Sequence, residues 1–136
     1  MKKTFAMVKP CAVASGRAQQ VKDTIAAAGF SIDRQNRIQL TREQAEWLYR
    51  EHAGRAHYGD LVDFTVSGPV DIMVLSTPEE GTPGLFRTLM GPTDIALAGP
   101  ETLRGRFAED FRRNAIHGSD SDESAHSELE YFAPAF

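Results

Sequence analysis

Cysteine is almost missing from this chain. Cys11 is the only one, so no disulfide can close within it, which suits a reducing compartment. A basic excess is missing too: 15 Lys and Arg face 19 Asp and Glu, a formal net charge of -4. No global positive field is available to draw in nucleic acid or an anionic membrane. Long apolar runs are absent, and the N-terminus passes from Lys2 and Lys3 straight into a mixed segment. Neither a secretory signal nor a membrane span is expected, and the cytoplasm is the default location. The G-x-x-x-x-G-K-[ST] loop and G-x-G-x-x-G are both missing, so any phosphate must be held by separated side chains. The absence of H-E-x-x-H, paired cysteines and clustered carboxylates predicts no protein-held metal.

What is present suffices for one domain spanning residues 1–136. Thr4 to Val8 reads as a buried strand, apolar on both faces, and Lys9-Pro10 as the point where it gives way to a loop. Val21, Thr24, Ile25 and Ala28 follow helical spacing up to Gly29. Ser31 to Leu40 is a mostly polar strand candidate. Thr41 and Gln44 fit a capping box before a helix carrying Ala45, Leu48 and Tyr49. A short helix through Leu61 and Val62 ends at Ser67-Gly68-Pro69, and Val70, Ile72 and Val74 alternate as a strand. Leu85, Phe86, Leu89 and Met90 make another helix face. Pro92 to Pro100 is irregular, and a short helix is expected around Leu103 to Phe111. A helix over Ser121 to Ser127 and a strand over Leu129 to Phe132 complete the reading. This order predicts an α+β fold: a ferredoxin-like sandwich whose four-stranded antiparallel sheet is covered by helices. A sheet edge and the apolar Phe132, Ala133 and Phe136 favour a homo-oligomer, at least a dimer, although these side chains fit a core equally well.

Chemistry concentrates in Asn114-Ala115-Ile116-His117-Gly118-Ser119-Asp120-Ser121. A loop imidazole among small hydrogen-bonding residues suits a nucleophile, since it is half-neutral near its ordinary titration point. Gly118 permits close backbone approach, and Ser119 and Asp120 can orient the ring or cap a helix. Phosphoryl transfer needs an in-line nucleophile and cations on the phosphate oxygens. Lys9, Arg87 and Arg104 are suitable cations and Thr93 a hydroxyl donor, although each alone also reads as a surface group. Glu128 is the candidate orienter of His117, or simply an exposed helix-end carboxylate. His52 and His126 read as structural or surface residues, His52 at a helix end where a positive ring suits the dipole.

The histidine run resembles the signature of nucleoside diphosphate kinases, Asn-x-x-His-Gly-Ser-Asp. Thr4-Phe5-Ala6-Met7-Val8-Lys9-Pro10, Ser67-Gly68-Pro69-Val70 and Thr102-Leu103-Arg104-Gly105 recur in that family's order, with Arg87 and Thr93 between them. The resemblance implies the same fold. It also implies γ-phosphate transfer from a nucleoside triphosphate to a diphosphate through a phosphohistidine on His117. Lys9, Glu128 and Ser119 join His117 in the implied catalytic set. Lys9, Tyr49, His57, Leu61, Arg87, Thr93, Arg104 and Asn114 are implied nucleotide contacts. Mg2+ would be the cofactor, carried by the phosphates of ATP, GTP and other nucleotides rather than by protein ligands. The chain departs from the pattern at His57-Tyr58, where the family usually has two phenylalanines, the first stacking on the base. If His57 lies at the surface, Tyr58 becomes the stacking ring. Ile95 replaces a common proline in the segment that makes trimer contacts in hexameric members, which leaves the higher assembly open. A non-catalytic nucleotide-binding paralogue and a nucleic-acid module are the rival readings. Retention of His117, Lys9 and both arginines argues against the first, and the net charge against the second.

Overall fold

The computed structural model describes residues 1–110 and 113–136. One antiparallel sheet carries the strands in the order β2-β3-β1-β4. β1 (Lys3–Val8) is central, pairing with β3 (Val70–Ser76) on one side and β4 (Ile116–Gly118) on the other. β2 (Ser31–Ile38) forms the edge against β3, with an irregularity between Ile32 and Arg34. This is the predicted α+β sandwich.

Helices cover both faces of the sheet, which is why β1 is apolar without alternation from Phe5 to Val8. Ala6 and Val8 face α2 (Ala18–Ala27), α5 (Thr82–Met90) and α6 (Leu103–Phe107), packing with Val21, Ile25, Phe86 and Leu103. Phe5 and Met7 face α3 (Arg42–Leu48) and α7 (Asp122–Phe132), packing with Leu48, Tyr49 and Phe132. α4 (Tyr58–Thr65) adds Tyr58 and Leu61 to that second cluster. Among the described residues, no helix is long and apolar enough to cross a membrane.

Three expectations are corrected here. Lys9-Pro10 does not open a loop: Pro10 begins α1 (Pro10–Ala14), its fixed φ and missing N–H suiting a first helical position. Leu129 to Phe132 is not a strand. It continues α7, because buried Ala125, Glu128 and Phe132 recur at helical spacing. The fourth strand is instead Ile116–Gly118, so His117 lies on a strand and not in a loop. α6 ends at Phe107, and the expected extension to Phe111 falls partly outside the described residues. At the C-terminus, Phe132 stacks on Phe5 at 4.7 Å and Arg34 sits 5.5 Å from the Phe136 ring, so these apolar groups pack against their own chain.

Asp71 on β3 is buried yet charged. Arg37, opposite it on β2, reaches both carboxylate oxygens at 2.7 and 3.0 Å, and Lys22 of α2 lies at 2.9 Å. Burial alone would push this carboxyl upward, but the hydrogen bonds from Arg37 and Lys22 hold it below the ordinary aspartate range. A depressed carboxyl stabilises the fold above its unfolded pKa, and that stability fades as pH falls through the folded value. Asp71→Asn should therefore cost about 3 kcal/mol in urea denaturation at pH 7, leaving Lys22 buried without its counter-charge. The gap between mutant and wild type should close on acidification below about pH 4.

Candidate active site

Strand alternation aims His117. Ile116 and Gly118 point toward α5, and a Cβ on Gly118 would stand 2.8 Å from Met90 Sδ and Phe86 Cδ2. His117, opposite Met7, points to the other face, where α7 presents Glu128. Its Nε2 lies 2.8 Å from Glu128 Oε1, with both side chains largely buried, at 14% and 8% exposure. Ser119 Oγ donates to the same carboxylate oxygen at 3.1 Å. A carboxylate only accepts, so this contact puts the ring proton on Nε2 and leaves Nδ1 as a lone pair. Tyr49 meets the imidazole edge to face at 5.7 Å, and Phe5 lies 6.0 Å away.

The backbone just before His117 is strained. Ala115 has φ 76, and among the described residues it is the one non-glycine at positive φ. Ile116 N–H donates to Asn114 O at 3.0 Å across it, a tight turn of γ type. Lys9 N–H donates to Ala115 O at 2.9 Å and braces that turn.

His117 opens into a cleft of about 670 Å³, lined also by Lys9, Tyr49, His57, Leu61, Arg87, Thr93, Arg104, Asn114 and Glu128. Every nucleotide contact expected from the sequence therefore faces one space. Ser119 does not line it and sits behind, against Glu128 and Phe5 O. Lys9 is 5% exposed, with Nζ 5.8 Å from the centre of the Tyr49 ring. Burial, with the Arg104 charge adding, pushes this ammonium down to about 7. Burial also pushes the Tyr49 phenol up, keeping it neutral. Arg104 is anchored by Gly91 O at 2.9 Å and Ile116 O at 3.2 Å, and its buried Nε has no hydrogen-bond partner among the described residues. Burial, together with nearby Arg87, lowers its guanidinium from the usual range. Arg87, on α5, donates to Asp120 O at 2.8 Å, and Thr93 sits exposed on the rim. Three cations and the Thr93 hydroxyl thus surround an imidazole with one free lone pair, a constellation suited to an anion with several oxygens.

His57 lies in the cleft wall at the start of α4. Tyr58, its possible substitute, is not part of that wall: its hydroxyl donates to Glu46 O at 3.2 Å. The surface reading of His52 is corrected. α3 ends at Leu48, and a 3-10 turn over Arg50–His52 carries His52 into the cleft beside His57. Ser124 also lines the cleft and was not singled out, and Asp120, expected to orient the ring or cap a helix, lines it too while Ser121 caps α7. Asp120 belongs to the signature run, so only its role was hidden. Nothing in sequence spacing pointed to Ser124.

A profile of the nucleoside diphosphate kinase family matches residues 2–136. The chain is 43% identical to a nucleoside diphosphate kinase of Rhodospirillum centenum over 132 residues, covering 97% of this chain and 93% of that one. Identity to the Maricaulis maris protein of the same name is 41%, with the same coverage. The solved nucleoside diphosphate kinase of Aquifex aeolicus superposes with a TM-score of 0.90 at 35% identity, covering 96% of this chain and 94% of that one. That of Halobacterium salinarum, solved in complex with CDP, gives 0.90 at 32% identity and covers 96% and 86%. The chain belongs to the nucleoside diphosphate kinase family, enzymes that pass a γ-phosphate from a nucleoside triphosphate to a nucleoside diphosphate.

Proposed function

We propose that this chain carries out that transfer in two half-reactions through His117. The observation that carries the reading is the His117–Glu128 contact at 2.8 Å inside a cleft walled by Lys9, Arg87 and Arg104. The Nδ1 lone pair attacks the γ-phosphorus, the bond from that phosphorus to the bridging oxygen breaks, and the diphosphate leaves with the electron pair. Positive charge then grows on the ring, and Glu128, accepting from Nε2–H, stabilises it while Ser119 holds the carboxylate in place. A second diphosphate enters the same cleft, and its terminal oxygen takes the phosphoryl group back from Nδ1. Lys9, Arg87, Arg104 and Thr93 hold phosphate oxygens, Asn114 the sugar end, and His57 with Leu61 and Tyr49 the base side.

The cleft gives no caged metal site: among the described residues no three His, Cys, Asp or Glu come together. Mg2+ fits here as an ion held by phosphate oxygens and water, supplying charge neutralisation as it arrives on the nucleotide. The CDP bound in the Halobacterium relative supports a nucleoside diphosphate as ligand, and family membership extends this to di- and triphosphates, ATP and GTP among them. The net charge argues against nucleic acid. We further infer a cytoplasmic homo-oligomer, at least a dimer. A monomer throughout micromolar sedimentation runs would contradict the dimer.

The central reading is tested by incubation with γ-labelled ATP. Label should be retained on the protein in alkali, lost in acid, and discharged by CDP or GDP. Acid-stable label, or none, would sink it. Lys9 supplies a second handle. Its charge serves a phosphate oxygen only below about pH 7 in the free enzyme, so kcat/KM should fall as pH rises through that value. Lys9→Met should be slow and should lack this alkaline limb.

A further inference from the structure

After the 3-10 turn over Arg50–His52, the chain doubles back at once. Arg55 N–H donates to His52 O at 3.0 Å, and Gly54 takes φ 86 inside that turn, a conformation glycine adopts at no steric cost. Tyr58 N–H then donates to Arg55 O at 3.1 Å as α4 begins. These turns bring His57 Nε2 to 3.2 Å from His52 Nδ1, with the ring centroids 5.1 Å apart. Both rings line the wall of the cleft. We propose that this pair is a site for a late first-row divalent cation such as Zn2+, held by the two facing nitrogens and separate from the Mg2+ that travels with phosphates.

The spacing suits a shared ion. Two nitrogens each about 2.0–2.1 Å from one tetrahedral ion stand about 3.3 Å apart. The pair already stands at 3.2 Å, so no backbone movement is needed. Only one hydrogen fits between the two nitrogens in the free protein. Exchange with water passes that hydrogen to the outer nitrogen of its own ring. Both inner nitrogens then present lone pairs, and the neutral pair takes the ion without releasing a proton. His57 is exposed, so its ring can turn by the small angle that aims both lone pairs at one point.

Donor chemistry selects the metal. Imidazole suits Zn2+, Cu2+ and Ni2+, whereas Mg2+ prefers oxygen and water. Among the described residues no third His, Cys, Asp or Glu joins the pair, so water completes the shell and the site stays open. Glu51 on the same turn and Asp120 in the cleft wall act on His52 with negative charge, opposed by Arg55. The other two imidazoles face single carboxylates: His117 meets Glu128 at 2.8 Å, and His126 meets Glu130 at 3.4 Å on an exposed face of α7. Neither offers two nitrogens to one ion. The spacing His52-x-x-x-x-His57 matches no H-E-x-x-H or paired-cysteine pattern, because the doubled-back turn and not a helix face brings the rings together.

The test is a Zn2+ titration of the full chain at neutral pH without nucleotide, for wild type, His57→Phe, His52→Gln and His126→Gln. It is followed by calorimetry and by the ring-proton NMR signals of the four histidines. Wild type and His126→Gln should bind one ion per chain, and the His52 and His57 signals should shift. Loss of either pair member leaves a single ligand, so Kd should rise about a hundredfold or more in His57→Phe and in His52→Gln. Mg2+ should move neither ring. Neither histidine belongs to an apolar cluster, so both variants should keep the wild-type fold, and the wild-type ring signals report the site without any variant. Zn2+ that binds equally well to both variants, that shifts His117 or His126 in place of the pair, or that never saturates overturns the proposal. No nucleotide enters the titration, so phosphoryl transfer by the cleft stands or falls separately.

Discussion

His117→Ala is expected to abolish the phosphoenzyme and to lower turnover to background, a loss of several orders of magnitude, since no other group takes over a covalent step. The fold should survive. His117 lines a cleft and is not one of the residues filling either apolar cluster, so thermal unfolding should shift little. An alanine variant with normal labelling and turnover would remove His117 as nucleophile. Glu128→Gln is the informative companion. An amide can present N–H as well as C=O to Nε2, so it weakens the fixed tautomer without emptying the space. It should slow transfer while still permitting some label.

The second large effect is expected at Arg104. Two backbone carbonyls hold its guanidinium, so its direction is fixed before any ligand arrives. Donors that need no reorganisation contribute most where charge develops in the reaction. Arg104→Ala should slow kcat/KM by about 10²–10³-fold. Arg104→Lys should recover only part, because an ammonium is a point charge that cannot span two carbonyls and a phosphate together. Arg87, tied to Asp120 O by one contact at the exposed side, should matter less. Equal kinetics for wild type and Arg104→Ala would reduce this arginine to a structural clamp between α6 and β4.

The sequence disclosed the fold where its signals were local. Thr41 and Gln44 form the expected reciprocal cap, at 3.1 and 2.9 Å. The apolar run of β1 announced a sheet covered on both sides. Signals failed where tertiary contacts decide. β4 has only three residues, too few for a period, and Gly118-Ser119-Asp120 reads as loop chemistry. Its strand character comes from pairing with β1. Leu129 to Phe132 looks like a strand because it is apolar and aromatic, yet Ser121 caps a helix whose inner stripe runs through Phe132. The cleft residues were legible as a set through resemblance alone, since no spacing rule joins Lys9 to Arg87, Arg104 and His117. His52 was misjudged because the 3-10 turn that follows α3 leaves no mark in hydrophobic pattern. Asp71 gave no sign either, since its partners lie on two other elements.

The hydrogen bond from Lys9 to Ala115 has a consequence for how this protein comes into being. It joins the end of the first strand to the turn before the last, and Glu128 reaches His117 only from the final helix. A growing chain from which only β1, β2 and β3 have emerged has no working centre. Lys9 lacks its partner Ala115, and His117 lacks both strand and carboxylate. During refolding, enzymatic activity cannot precede the docking of β4 and α7, whatever helix content has already returned. Catalysis in this chain thus reports that the two ends of the polypeptide have met.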